Sequence, residues 1–287
     1  MAANYVEYKV DNTHLLRVDA GTELIIPGMI RVDDAHFPDT AFRAYVSETF
    51  DTNNSGWLSA EEIMALDEDD NPKSVDMYNA GVTSLEGIQY LTELRVVNVS
   101  GSPSLTAVDL SGNTKLRSIS FYQTGITGLN VSGLALTHLS CDDAPLTALT
   151  LGSQPDLRGL SCYHTDLMTV DITGCPHLIE AWLGEKITED GIDNYESGSC
   201  YLYVNEGSAI ITGIPAPTFT LPAALTTIEA DAFQGIAAEA VRIPASATDI
   251  QGNPFAGSDV QYIYGTPGTA AETFAKSNGY IFVPDRE

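Results

Sequence analysis

A leucine pattern that recurs about every 21 residues constrains the fold of this chain more than any other feature. A Leu-x-x-Leu-x-apolar run is followed each time by a second Leu-x-x-Leu-x-Leu run, and the first leucine of each unit is Leu94, Leu116, Leu136, Leu157 or Leu178. These leucines follow one another at nearly equal intervals. One such unit cannot bury its apolar edge alone, so regular repetition predicts coils that stack and share a continuous core.

A period of about 20–29 residues with this leucine spacing is typical of a leucine-rich-repeat solenoid. Apolar residues occupy six columns through the repeat, which predicts two short inward-facing strands per coil, joined by turns of Gly, Ser, Asn, Thr and Pro. Val75 and Met77 precede Val97 and Val99 by one repeat length and indicate an earlier, degenerate coil. We therefore predict a mostly β solenoid with few helices and a cap at each end.

Composition limits the possible partners. The 287 residues include 13 basic and 39 acidic side chains, a net charge of −26, which makes nucleic acid and anionic membrane surfaces poor partners. Apolar residues make up 44% of the chain and follow a regular pattern, so the chain is not disordered. No apolar run approaches the roughly 20 residues of a membrane span. We expect no membrane insertion and a monomer.

Two of the four cysteines fit the core of the repeat. Cys141 and Cys162 occupy the same column in adjacent coils, where Phe121 and Leu183 stand in the flanking coils. Because free cysteine behaves as a small buried hydrophobe, we predict two stacked, reduced thiols, with a disulfide or a metal as the alternative. Cys175 and Cys200 fall in turn-like stretches and form no metal-ligand pattern along the sequence.

A twelve-residue segment before the coils matches the EF-hand calcium loop. It has oxygen-bearing residues at positions 1, 3, 5 and 9, Gly56 at position 6, Leu58 at position 8 and glutamate at position 12. Calcium is a hard cation that takes roughly six to eight oxygen ligands. The loop would supply them from Asp51, Asn53, Ser55, the Trp57 carbonyl, Ser59 and Glu62. The alternative is an acidic helix–turn–helix without metal.

The flanks of this segment favour helices. Residues 38–50 begin with an N-cap signal and place Phe42, Tyr45, Val46 and Phe50 on one helical face, and residues 60–66 can form an exit helix. With two ionised ligands, the affinity for calcium is expected to be about 10⁻⁴–10⁻³ M, as in extracellular modules. We therefore expect a structural calcium ion that makes the N-terminal cap rigid.

A different repeat follows near the C-terminus. Leu221-Pro222 recurs as Ile243-Pro244, and Ile228 and Phe233 recur as Ile250 and Phe255 at the same spacing. Residues 264–282 predict a short helix and then a strand that would cap the open end. The sequence thus predicts five segments. They are a strand-like N-terminal segment (1–30), a helical EF-hand-like cap (31–72), leucine-rich repeats (73–186), an irregular junction (187–220), and the second repeats with their cap (221–287).

Three parts of the sequence together resemble the BspA-like leucine-rich-repeat surface proteins of bacteria. They are the N-terminal cap from Phe37-Pro38-Asp39 to Glu62-Ile63, the Leu-Thr-x-Leu-x-Leu run at 146–151, and the Ile-Pro-x-Ser unit at 243–246 with its Tyr-Gly ending. The resemblance covers roughly residues 31–287. It implies export, a place at the bacterial cell surface or outside the cell, and adhesion to host matrix proteins, other surface proteins or glycans.

The N-terminus has neither the basic start nor the apolar core of a signal peptide. Taken alone, this favours the cytoplasm. The resemblance favours instead a mature or excised part of an exported protein.

Solenoids bind partners along the outward residues of their strands. The outward columns place an aromatic and polar patch on the first strand of the coils, at Tyr122, His138, Asp142, Tyr163, His164 and Trp182. Aromatic residues are enriched at binding surfaces, so we predict that this patch recognises a protein or a glycan. The alternative is that these are ordinary strand residues, because tyrosine and tryptophan also favour strands.

A binding or adhesion module is therefore the leading hypothesis, and an enzyme is not expected. The five histidines show no His-Glu-x-x-His spacing, and neither a Gly-x-Ser-x-Gly sequence nor a phosphate-binding loop is present. His138 and His164 could still approach each other with Asp142 across adjacent coils, which a shared binding surface would explain. An accessory or stalk domain of a larger secreted protein or enzyme is the alternative function.

Overall fold

A computed structural model describes strand backbone at 5–9 and 15–19 together with residues 28–64 and 74–286. The chain divides into two compact units, Met1–Thr212 and Gly213–Glu287. Within the described residues no helix is both long enough and apolar enough to cross a membrane.

The elements of the first unit are mostly short strands. Its strands are β1 (Tyr5–Lys9), β2 (Leu15–Asp19), β3 (Ile30–Arg31), β4 (Trp57–Leu58), β5 (Val75–Asp76), β6 (Val96–Asn98), β7 (Ser118–Ser120), β8 (Gly128–Asn130), β9 (His138–Ser140), β10 (Ala148–Thr150), β11 (Gly159–Cys162), β12 (Thr169–Asp171), β13 (Glu185–Glu189), β14 (Ile192–Ser197), β15 (Cys200–Asn205) and β16 (Ala209–Ile211). Its helices are α1 (Thr40–Thr49), α2 (Ala60–Met64) and α3 (Pro176–Leu183), with a 3₁₀ turn at Ile88–Tyr90.

The predicted solenoid is confirmed by the sheet that runs through this unit. Six parallel strands, one from each coil, pair in the order β5, β6, β7, β9, β11 and β15. Their central apolar residues pair in register and are buried: Val97 with Ile119, Ile119 with Leu139, and Leu139 with Leu160. The degenerate upstream coil is confirmed as well, because Val75 pairs with Val97.

A second strand per coil is present over part of the array. β8 pairs with β10 through Leu129 and Leu149, and β12 pairs with β16 through Val170 and Ile210. In the coil that contains β6, the equivalent residue Val108 lies outside any strand. The first leucine of each repeat unit packs into the core. These residues are all buried: Leu94, Leu116, Leu136, Leu157 and Leu178.

The prediction for the fifth coil is wrong. Its pattern assigns Ala181 and Leu183 to a strand, but they lie on α3. Pro176 stands at the first turn of this helix, where its missing N–H costs no hydrogen bond, and most residues that follow are good helix formers. The leucine spacing does not distinguish the two structures, because Leu178 and Ala181 are buried together on one face of the helix.

The stretch predicted to be an irregular junction contains a regular antiparallel hairpin. β13 pairs with β14, and β14 pairs with β15. β15 then pairs in parallel with β11, with Leu160 opposite Leu202 and Cys162 opposite Val204. The ladder therefore continues through β15, and α3 with the β13–β14 hairpin is inserted between two adjacent ladder strands.

All four cysteines are free and buried. Burial raises the pKa of the Cys141 thiol well above its usual value, with smaller contributions from Cys162 and Asp142, and burial also raises the pKa of Cys162. Cys175 lies in a turn, as predicted, because its amide donates to the Ile172 carbonyl at 2.8 Å just before α3 begins. The prediction that Cys200 lies in a turn is wrong, since Cys200 begins β15. Burial raises the pKa of Cys175 to about 11.

The second unit is a shorter parallel stack with its own core. It contains β17 (Phe219–Thr220), β18 (Thr227–Ile228), β19 (Ala240–Arg242), β20 (Asp249–Ile250), β21 (Tyr262–Gly265), α4 (Ala270–Asn278) and β22 (Ile281–Pro284). The spacing predicted from the sequence is confirmed where Ile228 pairs with Ile250. The rings of Phe233 and Phe255 stack with centroids 5.6 Å apart. After α4, β22 pairs in parallel with β21 at the edge of the sheet.

Candidate functional site

The predicted calcium-binding residues lie in the loop that joins α1 to α2. α1 begins after Asp39, whose side chain accepts a hydrogen bond from the Phe42 amide at 2.8 Å, and it ends before Phe50. In the loop, β4 pairs antiparallel with β3, which places Leu58 at loop position 8 opposite Ile30. This strand pair fixes the middle of the loop from outside the helix–loop–helix segment. Residues 65–66 of the predicted exit helix lie outside the described residues.

The first half of the loop is organised around the carboxylate of Asp51. Its Oδ1 accepts from the Ser55 amide and its Oδ2 from the Gly56 amide, each at 2.8 Å. The Ser55 hydroxyl lies 3.3 Å from Asp51 Oδ1 and 3.0 Å from the Trp57 carbonyl oxygen. Gly56 has a φ of 79°, which favours glycine at this sharp turn. Oxygen atoms from loop positions 1, 5 and 7 thus converge on one another.

The second half of the loop is organised around Glu62. Its Oε2 accepts from the Ser59 amide and hydroxyl, both at 3.0 Å, and its Oε1 accepts from the Thr52 hydroxyl at 3.1 Å. The Glu62 amide in turn donates to the Ser59 hydroxyl at 3.2 Å, which forms a capping box at the start of α2. Oxygen atoms from positions 9 and 12 converge here.

This donor set fits calcium and does not fit a softer metal. All the predicted ligand atoms are oxygens, and Asp51, Ser55 and Glu62 are buried although their side chains are polar. The same contacts also explain the loop as a capped helical turn, since Ser59 and Glu62 complete each other's hydrogen bonds without an ion.

The second group of predicted residues lies on the outward side of the ladder. We call this surface the ladder face, meaning the outward side chains of β5, β6, β7, β9, β11 and β15 and of the residues that directly follow those strands. In register, Ser118 pairs with His138, His138 with Gly159, and Gly159 with Tyr201. Neighbouring strands are about 4.8 Å apart, so side chains in one column lie within reach of each other.

Asp142 lies at the centre of the ladder face and is buried there. Its Oδ1 accepts from the Ser161 hydroxyl at 2.7 Å and from the Tyr163 amide at 3.1 Å, and its Oδ2 accepts from the Ser140 hydroxyl at 3.1 Å. Burial raises the pKa of Asp142, although the hydrogen bonds from Ser161, Ser140 and Tyr163 oppose that effect. The small serines on both sides leave room for this carboxylate to lie along the sheet.

Tyrosines surround this carboxylate. Burial and the nearby Asp142 raise the pKa values of both Tyr163 and Tyr201, with Asp143 contributing at Tyr163. The pKa of Tyr203 is raised to about 12 by burial and by Glu196, to which its hydroxyl donates. The rings of Tyr201 and Tyr203 lie 4.9 Å apart. These phenols are therefore protonated at neutral pH. The Tyr203 hydroxyl already donates to Glu196, so toward a partner it can act as a hydrogen-bond acceptor.

The two histidines of the ladder face have separate surroundings. The ring of His138 lies 6.2 Å from that of Tyr201. His164 Nδ1 lies 3.0 Å from Asp143 Oδ1, and its ring packs edge-on against Tyr163 at 5.0 Å. The hydrogen bonds of Asp142 come instead from two serines and a backbone amide.

Trp182 does not belong to the ladder face, which corrects the prediction. It lies on α3 and packs, partly buried, against the core. The ladder position assigned to it is filled by Tyr203, which pairs with Ser161, and Tyr201 of the same strand pairs with Gly159. A signal for both was present in the sequence, because Leu202 and Val204 follow Leu160 and Cys162 by twice the repeat length.

No protein-family model and no curated protein matches this chain. Two solved structures from Listeria monocytogenes are similar to it. The functional domain of InlJ, which includes a cysteine ladder, is 26% identical with a TM-score of 0.43, and the match covers 54% of this chain and 33% of that one. Internalin C2 is 20% identical with a TM-score of 0.34, and the match covers 54% of this chain and 88% of that one. This chain thus spans about a third of the InlJ domain.

Proposed function

We propose that this chain is a non-enzymatic binding module that recognises a protein or a glycan through the ladder face. The observation that carries the proposal is the cluster of protonated tyrosines around the buried carboxylate of Asp142. Tyr122 and Tyr163 precede and follow Asp142 in one column, and Tyr201 and Tyr203 extend the cluster along β15. Tyrosine combines a large apolar ring with a hydrogen-bonding hydroxyl, which suits both protein and glycan surfaces.

The corrected ladder site contains Tyr122, His138, Asp142, Tyr163, His164, Tyr201 and Tyr203. The net charge of −26 favours a neutral or basic partner. The resemblance to BspA-like proteins adds an extracellular or cell-surface location, and it adds host matrix proteins, other surface proteins and glycans as the classes of partner to test first.

An array of matrix proteins and glycans, probed with the whole chain, tests this proposal. A partner found there is then measured against Tyr163→Ala and Tyr201→Ala, each of which is expected to weaken binding by about 30-fold, as at other aromatic hot spots. Tyr262→Ala, which alters a half-buried tyrosine of the second unit, is the matched control and leaves the affinity unchanged. Full affinity in the Tyr163→Ala/Tyr201→Ala double variant removes the ladder face as the binding site.

We also propose that the loop from Asp51 to Glu62 binds a structural calcium ion. The support is the all-oxygen donor set, the burial of Asp51, Ser55 and Glu62, and the convergence of their oxygens. At a free calcium concentration ten times the dissociation constant, binding stabilises the fold by about 1.4 kcal/mol. Calcium would act by holding the loop between α1 and α2 in one conformation.

Calcium binding is tested by the shift of the melting temperature on adding calcium to protein treated with a chelator. Glu62→Gln is the sharpest variant, because glutamine preserves the capping box but cannot bind calcium as a bidentate anion. We expect a calcium-dependent shift in the wild type that Glu62→Gln and Asp51→Ala both lack. Asp34→Ala removes an exposed aspartate outside the loop and keeps the shift. A shift that persists in Glu62→Gln contradicts the proposed site.

A further inference from the structure

The insertion between β11 and β15 carries a group of side chains with the chemistry of a metal site. His177 and Glu180 lie on α3 near the start of the insertion, and Cys200 lies at its end, as the first residue of β15. Their ligand atoms all lie within 4.8 Å of one another, and among the described residues these three form the one such group of histidine, cysteine and acidic side chains.

The spacing of the first two ligands matches a tetrahedral metal. His177 and Glu180 stand at positions i and i+3 of one helix, which places them on the same face. His177 Nδ1 and Glu180 Oε2 are separated by 3.4 Å, which is long for a charge-assisted hydrogen bond. Zinc bonds of about 2.0–2.2 Å at tetrahedral angles place a nitrogen and an oxygen ligand about 3.4 Å apart. The pair therefore already has the separation of two ligands on one ion.

Cys200 would supply the third ligand from the first position of β15. It is buried, and Arg158 Nη1 lies 3.8 Å from its sulfur. A donor at this position can hydrogen-bond a metal-bound thiolate, which is how surrounding residues commonly orient a ligand. Cys141 and Cys162 are buried in the same core, but among the described residues neither belongs to such a group of histidine, cysteine and acidic side chains.

We propose that His177, Glu180 and Cys200 bind a zinc-class divalent cation with one coordination position left open. Imidazole and thiolate select zinc and similar borderline metals over calcium and magnesium, which prefer oxygen ligands alone. Glu180 is exposed, so solvent reaches the group at this ligand, and we expect the fourth position to take a water molecule or a side chain of a partner. The ion would close the insertion at its base, joining α3 to the ladder strand β15.

This site is independent of the calcium loop and of the ladder face. Its ligands belong to neither, and its metal class differs from calcium. A bound ion would hold residues 177 and 200 together and so restrain the two ends of the segment that contains the β13–β14 hairpin.

Cobalt(II) provides a spectroscopic test on the whole chain after metal is stripped with a chelator. We expect intense visible bands of tetrahedral cobalt and a thiolate-to-cobalt charge-transfer band, both displaced by one equivalent of zinc and unchanged by calcium. Cys200→Ala abolishes the charge-transfer band, and His177→Ala and Glu180→Gln weaken binding of zinc. Cys162→Ala and His164→Ala are the matched controls and retain the bands.

Folding of the variants is checked without metal, by comparing their circular dichroism and melting temperatures with those of metal-free wild type. Glu180→Gln changes an exposed side chain and leaves the metal-free fold intact, so it tests the site even where Cys200→Ala misfolds. Hydrogen exchange adds a second readout, in which zinc slows exchange within 176–200 and not within the coils at 94–157. A charge-transfer band that survives Cys200→Ala, or zinc binding that Glu180→Gln leaves unchanged, overturns the proposal.

Discussion

The coil that follows Leu160 is twice as long as each coil between Val75 and Leu160. The strands of all these coils nevertheless belong to the same sheet. Successive central residues of the ladder are one repeat length apart up to Leu160, whereas Leu160 and its partner Leu202 are separated by two. The longer coil contains α3 and the β13–β14 hairpin, and β15 still pairs in register with β11. In this solenoid the strand register is therefore maintained while the path between strands is not.

The reason lies in nearest-neighbour packing. Each coil of a solenoid needs only to present its strand and its apolar edge to the adjacent coil. In the long coil, Leu178 and Ala181 fill the core from a helix instead of a strand, and both are completely buried. A helix thus replaces a strand without loss of the shared core.

Truncating the first leucine of a repeat unit tests whether both kinds of coil depend on the shared core. Leu157→Ala and Leu178→Ala are each expected to lower the free energy of unfolding by about 2–5 kcal/mol, because both side chains are fully buried. The measurement is the midpoint of urea unfolding. Met168→Ala, at an exposed position, is the control with almost no effect. A negligible cost at Leu178 would mean that α3 is not part of the core.

A second test concerns another helix that is attached to a regular coil. Asp39 caps α1 through the Phe42 amide and also accepts from the Thr83 amide at 2.8 Å and the Thr83 hydroxyl at 2.7 Å. Asp39→Ala is expected to cost about 1–2 kcal/mol. Asp39→Asn should cost less, because its amide oxygen can still accept from Phe42, although its amide nitrogen cannot accept from Thr83. Equal costs for the two variants would show that the cap to the Phe42 amide contributes little.

The Asp39 contribution also depends on pH. Burial raises the pKa of Asp39, but the hydrogen bonds from Phe42, Thr83 and Ser84 outweigh burial and hold that pKa below its usual value. A lowered pKa in the folded state means that the stabilisation is present above the unfolded value of about 3.9 and is lost as pH falls through the lower folded value. The difference in unfolding free energy between wild type and Asp39→Asn should therefore shrink at acidic pH.

A third test compares one buried polar column across both kinds of coil. The hydroxyls of Thr124 and Thr165 donate to the carbonyls of Phe121 and Cys162, each at 2.8 Å, whereas the Ser102 hydroxyl has no hydrogen-bond partner within the described part of the chain. Thr124→Val and Thr165→Val are expected to cost about 1 kcal/mol each, and Ser102→Ala to be neutral or stabilising. Chemical denaturation measures all three, and a clear loss of stability in Ser102→Ala would contradict the assignment.

The smallest expected effect is at Asp142, which joins a regular coil to the long one. Its folded pKa is raised, so the native state is favoured while the carboxyl is protonated, and this stabilisation is lost as pH rises from the unfolded value of about 3.9 through the higher folded value. Asp142→Asn keeps an acceptor for Ser161 and Tyr163 and removes the charge. Its unfolding free energy minus that of wild type should therefore rise over this pH range. A flat difference would show that the carboxylate is not destabilised by burial.

The inward residues of the ladder were predictable because their direction follows from strand geometry. Alternation at period two placed Val97, Ile119, Leu139 and Leu160 in the core, and the structure confirms all four. The helix α3 was not predictable from the same pattern, since apolar residues at Leu178 and Ala181 satisfy both a strand repeat and a helix face.

The outward residues were predictable in position but less so in environment. The columns placed Tyr122, Asp142 and Tyr163 on one face, and the structure places them there. The pattern did not indicate that Asp142 is buried, because its burial depends on the small side chains of Ser140 and Ser161 beside it. Tyr201 and Tyr203 were missed because the pattern predicts one ladder strand per repeat length. Their strand, β15, follows β11 only after two repeat lengths.

The doubled coil has a consequence for the response of the chain to tension. If coils detach one after another when the chain is pulled, a regular coil of about 21 residues releases at most about 70 Å of extended chain, and the coil from Leu160 to Leu202 releases about 140 Å. One event of double length would therefore mark this coil in a single-molecule extension trace.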